Sequence, residues 1–421
     1  MKRAALWTGL IIMAILGAAG VEAAPPELDF WLLNVSGLTG YNGLPADIQR
    51  IRYSTDNAYV NASGIPYYTI GPWPGNPNTV TNQDKLFRFP RNPVVNAGTK
   101  TATSLGAIGV WVNGVAIYNA LDAHSYNNLN IWHQNAVIVE AGGFDACLGH
   151  PPPSGQYHHH QRPRCLDATD SDVHSRILGF AFDGFPVYGP HGYANSDGSG
   201  GVARIRSSYR LRSITTRTTL PDGTVLMPAQ YGPSVSATFP LGYYVEDFEY
   251  VSGLGDLDAY NGRIAVTPEY PAGTYAYYTT LDAGGATAYP YVIGPRYYGV
   301  VASDNVTSMG HVTVAEPVAD YTPTSVGARE AGTASSFRLG QNAPNPAVEG
   351  ATIAFSVPVA GRVSLRLFDL AGRIVQTLVD REMPAGSHSV PVDVSRLRAG
   401  AYFYQLQARG GVAVRKLLIV R

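Results

Sequence analysis

The sequence predicts an all-β protein, a large multi-stranded β domain followed by a small Ig-like β-sandwich. Three observations carry this expectation. The 421 residues include 27 Tyr, 46 Gly and 30 Pro, a mixture suited to short strands joined by many turns. Short runs such as Ile51-Arg52-Tyr53 and Phe87-Arg88-Phe89 alternate apolar and polar residues, the period of a half-buried strand. No stretch keeps a sustained helical period.

The first segment is an export signal by its pattern. Lys2 and Arg3 precede an apolar run from Ala4 to about Gly20, and Val21-Glu22-Ala23 puts small residues where a signal peptidase cuts, so residues 1–23 are expected to leave. The run is short for a bilayer span, Pro25-Pro26 follows it, and no later stretch is long and apolar enough to cross. An exported mature chain without a transmembrane segment is the expectation.

Residues 24–317 form the large domain. Phe30 to Val35, Ile48 to Tyr53 and Leu86 to Phe89 are expected strands, separated by turn chemistry such as Gly71-Pro72-Trp73-Pro74-Gly75. Asn113-Gly114, between two apolar runs, predicts a hairpin with a type I′ turn. Ala136 to Glu140 is a further expected strand, and Ile177 to Asp183 is an apolar strand ending in a carboxylate. The polar, Arg-bearing stretch from Arg204 to about Arg217 carries no clear pattern. Residues 318–336 lack apolar periodicity and are expected to be a linker. Within 337–421, strands are expected at Thr352 to Val357, Arg362 to Asp369, Arg373 to Val379, His388 to Val394, Gly400 to Ala408 and Val412 to Val420.

Charge narrows the partners. The net charge is -1 and 14% of residues are charged, against about 25% in a typical soluble chain. Phosphate binding relies on clustered Lys and Arg, so no nucleic acid partner is expected. Phosphate-loop and dinucleotide signatures are absent, so no nucleotide cofactor is expected either.

The chemistry-bearing residues are concentrated. Of the ten His, eight lie between His124 and His191. In an extended Tyr157-His158-His159-His160, His158 and His160 face one way about 7 Å apart while Tyr157 and His159 face the other. That spacing lets two imidazoles hold one ion. A third ligand could come from His150 through the proline turn, or from His174, His191 or Asp183. Copper and zinc are the leading ions for such imidazole sites. Asp183 or Glu269 could serve as a base; no catalytic residue is assigned, and whether the protein is an enzyme is left open. The competing reading makes the Tyr, His and Asp side chains a buried hydrogen-bond network in a non-enzymatic surface binding or adhesion module. Cys147 and Cys165 are the two cysteines; a disulfide is expected in an oxidising compartment, two thiolate ligands being the alternative.

Two resemblances follow from particular motifs. Gly149-His150-Pro151, Gly155-Gln156-Tyr157-His158-His159-His160 and Gly179-Phe180-Ala181-Phe182-Asp183-Gly184-Phe185-Pro186-Val187-Tyr188-Gly189-Pro190 resemble the YHYH protein family. So do Leu257 to Arg263, Thr267 to Pro271 and Gly273 to Tyr277. The resemblance implies a fold family and no established activity. His159 stands where the motif has its second Tyr, but it faces away from His158 and His160, so the like-facing pair is kept. The C-terminal unit is similar to the sorting domain of type IX secretion, through Gln341-Asn342-Ala343-Pro344-Asn345-Pro346, Phe368-Asp369-Leu370-Ala371-Gly372-Arg373 and the Lys416 to Arg421 end. That resemblance implies the type IX machinery as a partner, with passage through the periplasm to the outer surface or the medium.

Overall fold

A computed structural model describes residues 25–321, apart from 168–170, 172 and 307–311, and residues 338–420, apart from 341, 343–344, 349, 358–360, 371, 384–385, 396 and 410. The expected signal peptide and most of the expected linker lie outside the described residues. The fold is all-β.

The first sheet contains β1 (Ile48–Tyr53), β2 (Asn57–Ala62) and β3 (Lys85–Pro90). The second contains β4 (Ala107–Trp111), β5 (Ala116–Tyr118), β6 (His158–His159), β7 (Ile177–Ala181), β8 (Pro186–Tyr188), β9 (Gly262–Ala265) and β10 (Thr274–Tyr278). Its strand order is β9-β10-β8-β7-β4-β5-β6, with β4 and β7 at the centre and β6 at one edge. The sheets share one core: Phe87 stacks on Phe182 with ring centroids 5.8 Å apart, and Trp31 packs against both Phe89 and Phe180.

β11 (Ala319–Asp320), within the expected linker, adds to the outer edge of β1, where Asp320 pairs with the Arg50 guanidinium at 2.6 Å. The large domain's sheet therefore includes residues up to Asp320, three beyond the expected boundary at 317.

The C-terminal unit matches expectation closely. β12 (Arg338–Leu339), β13 (Gly350–Val357) and β16 (Gly386–Asp393) form one sheet. β14 (Gly361–Phe368), β15 (Ile374–Met383), β17 (Gly400–Ala408) and β18 (Gly411–Ile419) form the other. Alternation explains the agreement: Val363, Leu365 and Leu367 are buried along β14 while the residues between them are partly exposed, so one face of each strand is dictated to the core.

Three local expectations are corrected. Phe30 to Val35 is not a strand: helix α1 (Pro26–Asp29) starts with Pro at its first position, Trp31 caps it by donating its indole N–H to the Glu27 carbonyl at 2.8 Å, and only Leu33 bridges to Ile48. The Asn113-Gly114 turn is not type I′, because Gly114 (φ 82°) has a left-handed backbone and Asn113 does not. Gly114 N–H donates to Trp111 C=O and Trp111 N–H to Val115 C=O, giving a three-residue loop. Finally, Ala136 to Glu140 is a single helical turn, α2 (Ala136–Val139), closed by Glu140 N–H on Ala136 C=O and followed by a 3-10 turn at Ala141–Gly143.

Candidate metal centre

The site forms where β6 meets two flanking segments. β6 pairs in parallel with β5, placing His158 beside Ala116 and His159 beside Ile117. On its other side His150 and His158 exchange both backbone hydrogen bonds at 3.2 Å, so their side chains share a face. His160 lies on that face too, two residues on. The turn of α2 brings Glu140 over the same spot.

Four ligand atoms converge there. His158 Nε2 and His160 Nε2 are 3.1 Å apart. Glu140 Oε2 is 3.0 Å from His160 Nε2 and 3.2 Å from His150 Nε2. All four residues offer donors within 4.8 Å of one another, and among the described residues this is the group of His, Cys, Asp and Glu able to hold a metal ion. Donors about 2.0–2.1 Å from a tetrahedral ion stand roughly 3.3 Å from each other, close to these separations.

The hydrogen bonds orient the rings. Nδ1 of His158 donates to the Gln156 carbonyl at 3.0 Å, and Nδ1 of His160 to the Asn119 carbonyl at 2.5 Å. With the proton on Nδ1, each ring turns the Nε2 lone pair toward its neighbour. Two lone pairs and a carboxylate then face one point. Glu140 Oε2 and His150 Nε2, though 3.2 Å apart, make no aligned hydrogen bond and are buried. For Glu140 and His150, convergence without hydrogen-bond alignment is what ligands around an ion show; the His158–His160 contact is within hydrogen-bond geometry. Electrostatics agree: burial, then the neighbouring His160 and His150, hold the His158 imidazole well below its ordinary pKa, so it is neutral. Burial opposes ionisation of Glu140, but positive charge beside it, which His150 and His160 carry when protonated, outweighs burial and keeps the carboxylate well below the usual range.

Tyr118 backs the site, its ring stacked on His158 at 3.8 Å between centroids and its hydroxyl donating to Gln156 Oε1 at 2.9 Å. The four donors line an open cleft of about 810 Å³ whose other walls include Pro74, Pro77, Pro152 and Asp122. Glu140, with a quarter of its side chain exposed, is the most accessible of the four.

Of the expected ligands, His150, His158 and His160 come together. His174, His191 and Asp183 do not. The sheet order separates them, because β6 lies at one edge whereas these residues flank β7 and β8, on the far side of β4 and β5. His174 packs against Tyr188 and Tyr193. His191 pairs with Arg204 in a two-stranded ribbon. Asp183 is buried in the β7–β8 turn, accepting from the Tyr277 hydroxyl at 2.7 Å and the Gly299 N–H at 2.8 Å. Glu269 accepts from the Tyr188 hydroxyl, again on the far half. His159 faces the core against Trp111 and Tyr157, as alternation required. Cys147 and Cys165 form a disulfide with Cα atoms 5.1 Å apart, and neither is a thiolate ligand. Trp73, Trp111 and Trp132 are buried and pack in cores. Sequence reasoning missed Glu140 and Tyr118. A lone carboxylate closing an apolar run, the signal that singled out Asp183, was also present at Glu140.

Fold and site together define an all-β domain with a three-histidine, one-carboxylate centre in a cleft, joined to a β-sandwich. Residues 86–289 match the family described as YHYH protein, and residues 343–420 match the secretion system C-terminal sorting domain. The first match contains the whole centre, and the second almost the whole sandwich. A chain with such a sorting domain is directed to the cell surface or the medium. No curated protein matches the chain.

Proposed function

We propose that this exported protein binds one transition-metal ion, copper or zinc, through His150, His158, His160 and Glu140. The observation that carries the reading is the convergence of the His158 and His160 Nε2 atoms with Glu140 Oε2, while the Nδ1 protons are engaged by backbone carbonyls. Three imidazoles and a carboxylate suit the borderline character of both ions. The cleft supports access by water or a small ligand to an ion held there, so the same arrangement can serve sequestration or a metal-assisted reaction. Signal-peptide cleavage after Ala23, followed by type IX secretion through the sorting domain, would deliver the centre to the cell surface or the medium, where copper and zinc are met before uptake.

The test is metal analysis of protein purified without a histidine tag, compared with His158→Ala/His160→Ala. About one copper or zinc per chain, lost in the variant, supports the proposal. Absence of stoichiometric metal after exposure to either ion, with the variant altered only in stability, ends it and favours the hydrogen-bond network.

A further inference from the structure

The seven-stranded sheet contains one design twice. In the β4–β5 hairpin, Gly114 N–H donates to Trp111 C=O at 2.7 Å and Trp111 N–H to Val115 C=O at 2.9 Å. In the β7–β8 hairpin, Gly184 N–H donates to Ala181 C=O at 2.9 Å and Ala181 N–H to Phe185 C=O at 3.0 Å. Gly114 and Gly184 have φ of 82° and 86°. The two hairpins pair through their first strands, with Gly109 opposite Ala181 and Trp111 opposite Gly179. A shift of 70 residues maps each of these pairs onto the other, the signature of a local twofold axis passing between Val110 and Phe180.

The correspondence extends to the partner strands. β5 takes β6 as a parallel neighbour, and β8 takes β10 in the same way. Ile117 faces His159 while Val187 faces Tyr277, so His158 and His160 correspond to Ala276 and Tyr278. His150 faces His158 as Arg263 faces Ala276, so His150 corresponds to Arg263. The three imidazoles of the first copy thus have no histidine counterpart. In the second copy the Arg263 guanidinium lies 5.5 Å from the Tyr278 ring centre, on the face where the first copy has its histidines. That copy has its own fixed cation and needs no ion.

What the copies keep is a clamp. Asp145 Oδ1 accepts the Cys147 and Gly149 N–H groups at 2.9 and 3.2 Å; Asp258 Oδ1 accepts those of Tyr260 and Gly262 at 2.8 and 3.1 Å. Tyr157 donates its hydroxyl to Asp145, and Tyr275 to Asp258, each with both carboxylate oxygens within 3.0 and 3.1 Å. Leu148 and Asn261 occupy the same left-handed position, φ 68° and 65°. Gly149 and Gly262 each lie so close to the clamping ring that a Cβ would collide with it.

We infer that the seven-stranded sheet is an internal duplication and that Asp145 and Tyr157, the first copy's clamp, are positioning residues that hold His150 and His158 in register for metal. The physical reason is adjacency. Asp145 shapes the turn that delivers His150, Tyr157 immediately precedes His158, and their hydrogen bond ties the two ligand-bearing segments together. This rests on the metal reading above. The second copy supplies an internal control, because its clamp secures no ligand.

The test compares Tyr157→Phe with Tyr275→Phe in the full chain, each removing only a hydroxyl. The tyrosines are preferred over the aspartates because Asp145 also accepts from Gly71 N–H and the Trp73 indole, which Asp258 does not match. Both variants should lower the melting temperature to a comparable degree. Zinc or copper affinity should fall on the order of 10–100-fold in Tyr157→Phe, the range for outer-shell partners, and by less than about twofold in Tyr275→Phe. Equal losses in both variants, or no loss in Tyr157→Phe, overturn the inference. Wild-type protein that binds neither ion sinks the metal reading instead, and the clamp is then read by nitrogen-15 NMR of the His158 ring. Loss of the Nδ1–H hydrogen bond to the Gln156 carbonyl in Tyr157→Phe alone sustains the positioning role, and its persistence overturns that role.

Discussion

The Cys147–Cys165 bridge closes a loop containing three of the four proposed ligands, yet it is expected to act mainly on the unfolded chain. The perturbation is Cys147→Ala/Cys165→Ala. With a sequence separation of 18, the loop spans 19 residues, and loop-closure entropy puts the loss near 3 kcal/mol at 25 °C. For a domain of this size each kcal/mol moves the melting temperature roughly 2–4 °C, so a fall of about 6–12 °C is expected. The assay is guanidinium unfolding followed by tryptophan fluorescence, in parallel with metal titration below the variant's transition. Because the Asp145 turn and the His150–His158 pairing persist without the bridge, metal affinity of the folded variant should change less than about tenfold. A stability loss under about 1 kcal/mol refutes the loop-closure reasoning. A full loss of metal binding in the folded variant shows instead that the bridge holds the site.

Four further outcomes are expected. Metal at 100 times its dissociation constant should stabilise the wild type by about 2.7 kcal/mol, reversibly with chelator, and leave His158→Ala/His160→Ala unmoved in thermal melts. Glu140→Gln, which keeps shape but removes charge, should weaken metal by more than the roughly 10–100-fold typical of outer-shell changes, measured by competition with a chromophoric chelator. Burial pushes Asp183 up to about 6 from an ordinary 3.8, so the folded state holds its proton more tightly than the unfolded chain does. The associated stability is complete below about pH 4 and lost as pH rises through 6; the wild type should therefore lose about 3 kcal/mol relative to Asp183→Asn over that window, and a flat difference in denaturant titrations contradicts this. Arg217, fully buried with Asp247 and bonded to it at 2.7 Å through both Nε and Nη2, should cost about 3–5 kcal/mol when changed to Ala, because the Asp247 carboxylate is left buried and unpaired.

The contrast between Asp183 and Glu140 explains how far the sequence could lead. A period of two decides which residues share a face along a strand, so the His158 and His160 pair, the inward His159 and nearly every strand of the C-terminal sandwich were legible. Period says nothing about which strand becomes whose neighbour. His174, His191 and Asp183 are near the motif in sequence, but the order β8-β7-β4-β5-β6 puts the central hairpin strands between them and the histidines. Glu140 joins the proposed ligands because α2 makes one helical turn instead of continuing as a strand, and four apolar residues cannot decide between those states before tertiary contacts do. Arg217 was opaque for a related reason: a charge is placed inside only when its partner and four carbonyl contacts are already in position, and those come from residues 16 to 30 positions away. The duplicated clamp lies between these extremes. Asp145-Ala146-Cys147-Leu148-Gly149 and Asp258-Ala259-Tyr260-Asn261-Gly262 share Asp, Ala and Gly at the same spacing, a match too short to signal a duplication until the pairing of their strands shows that one is the other's counterpart. That pairing also separates what the fold requires from what the first copy adds. Aspartate, glycine and tyrosine recur in both copies and serve the backbone, whereas the histidines occur in one and are free to serve an ion.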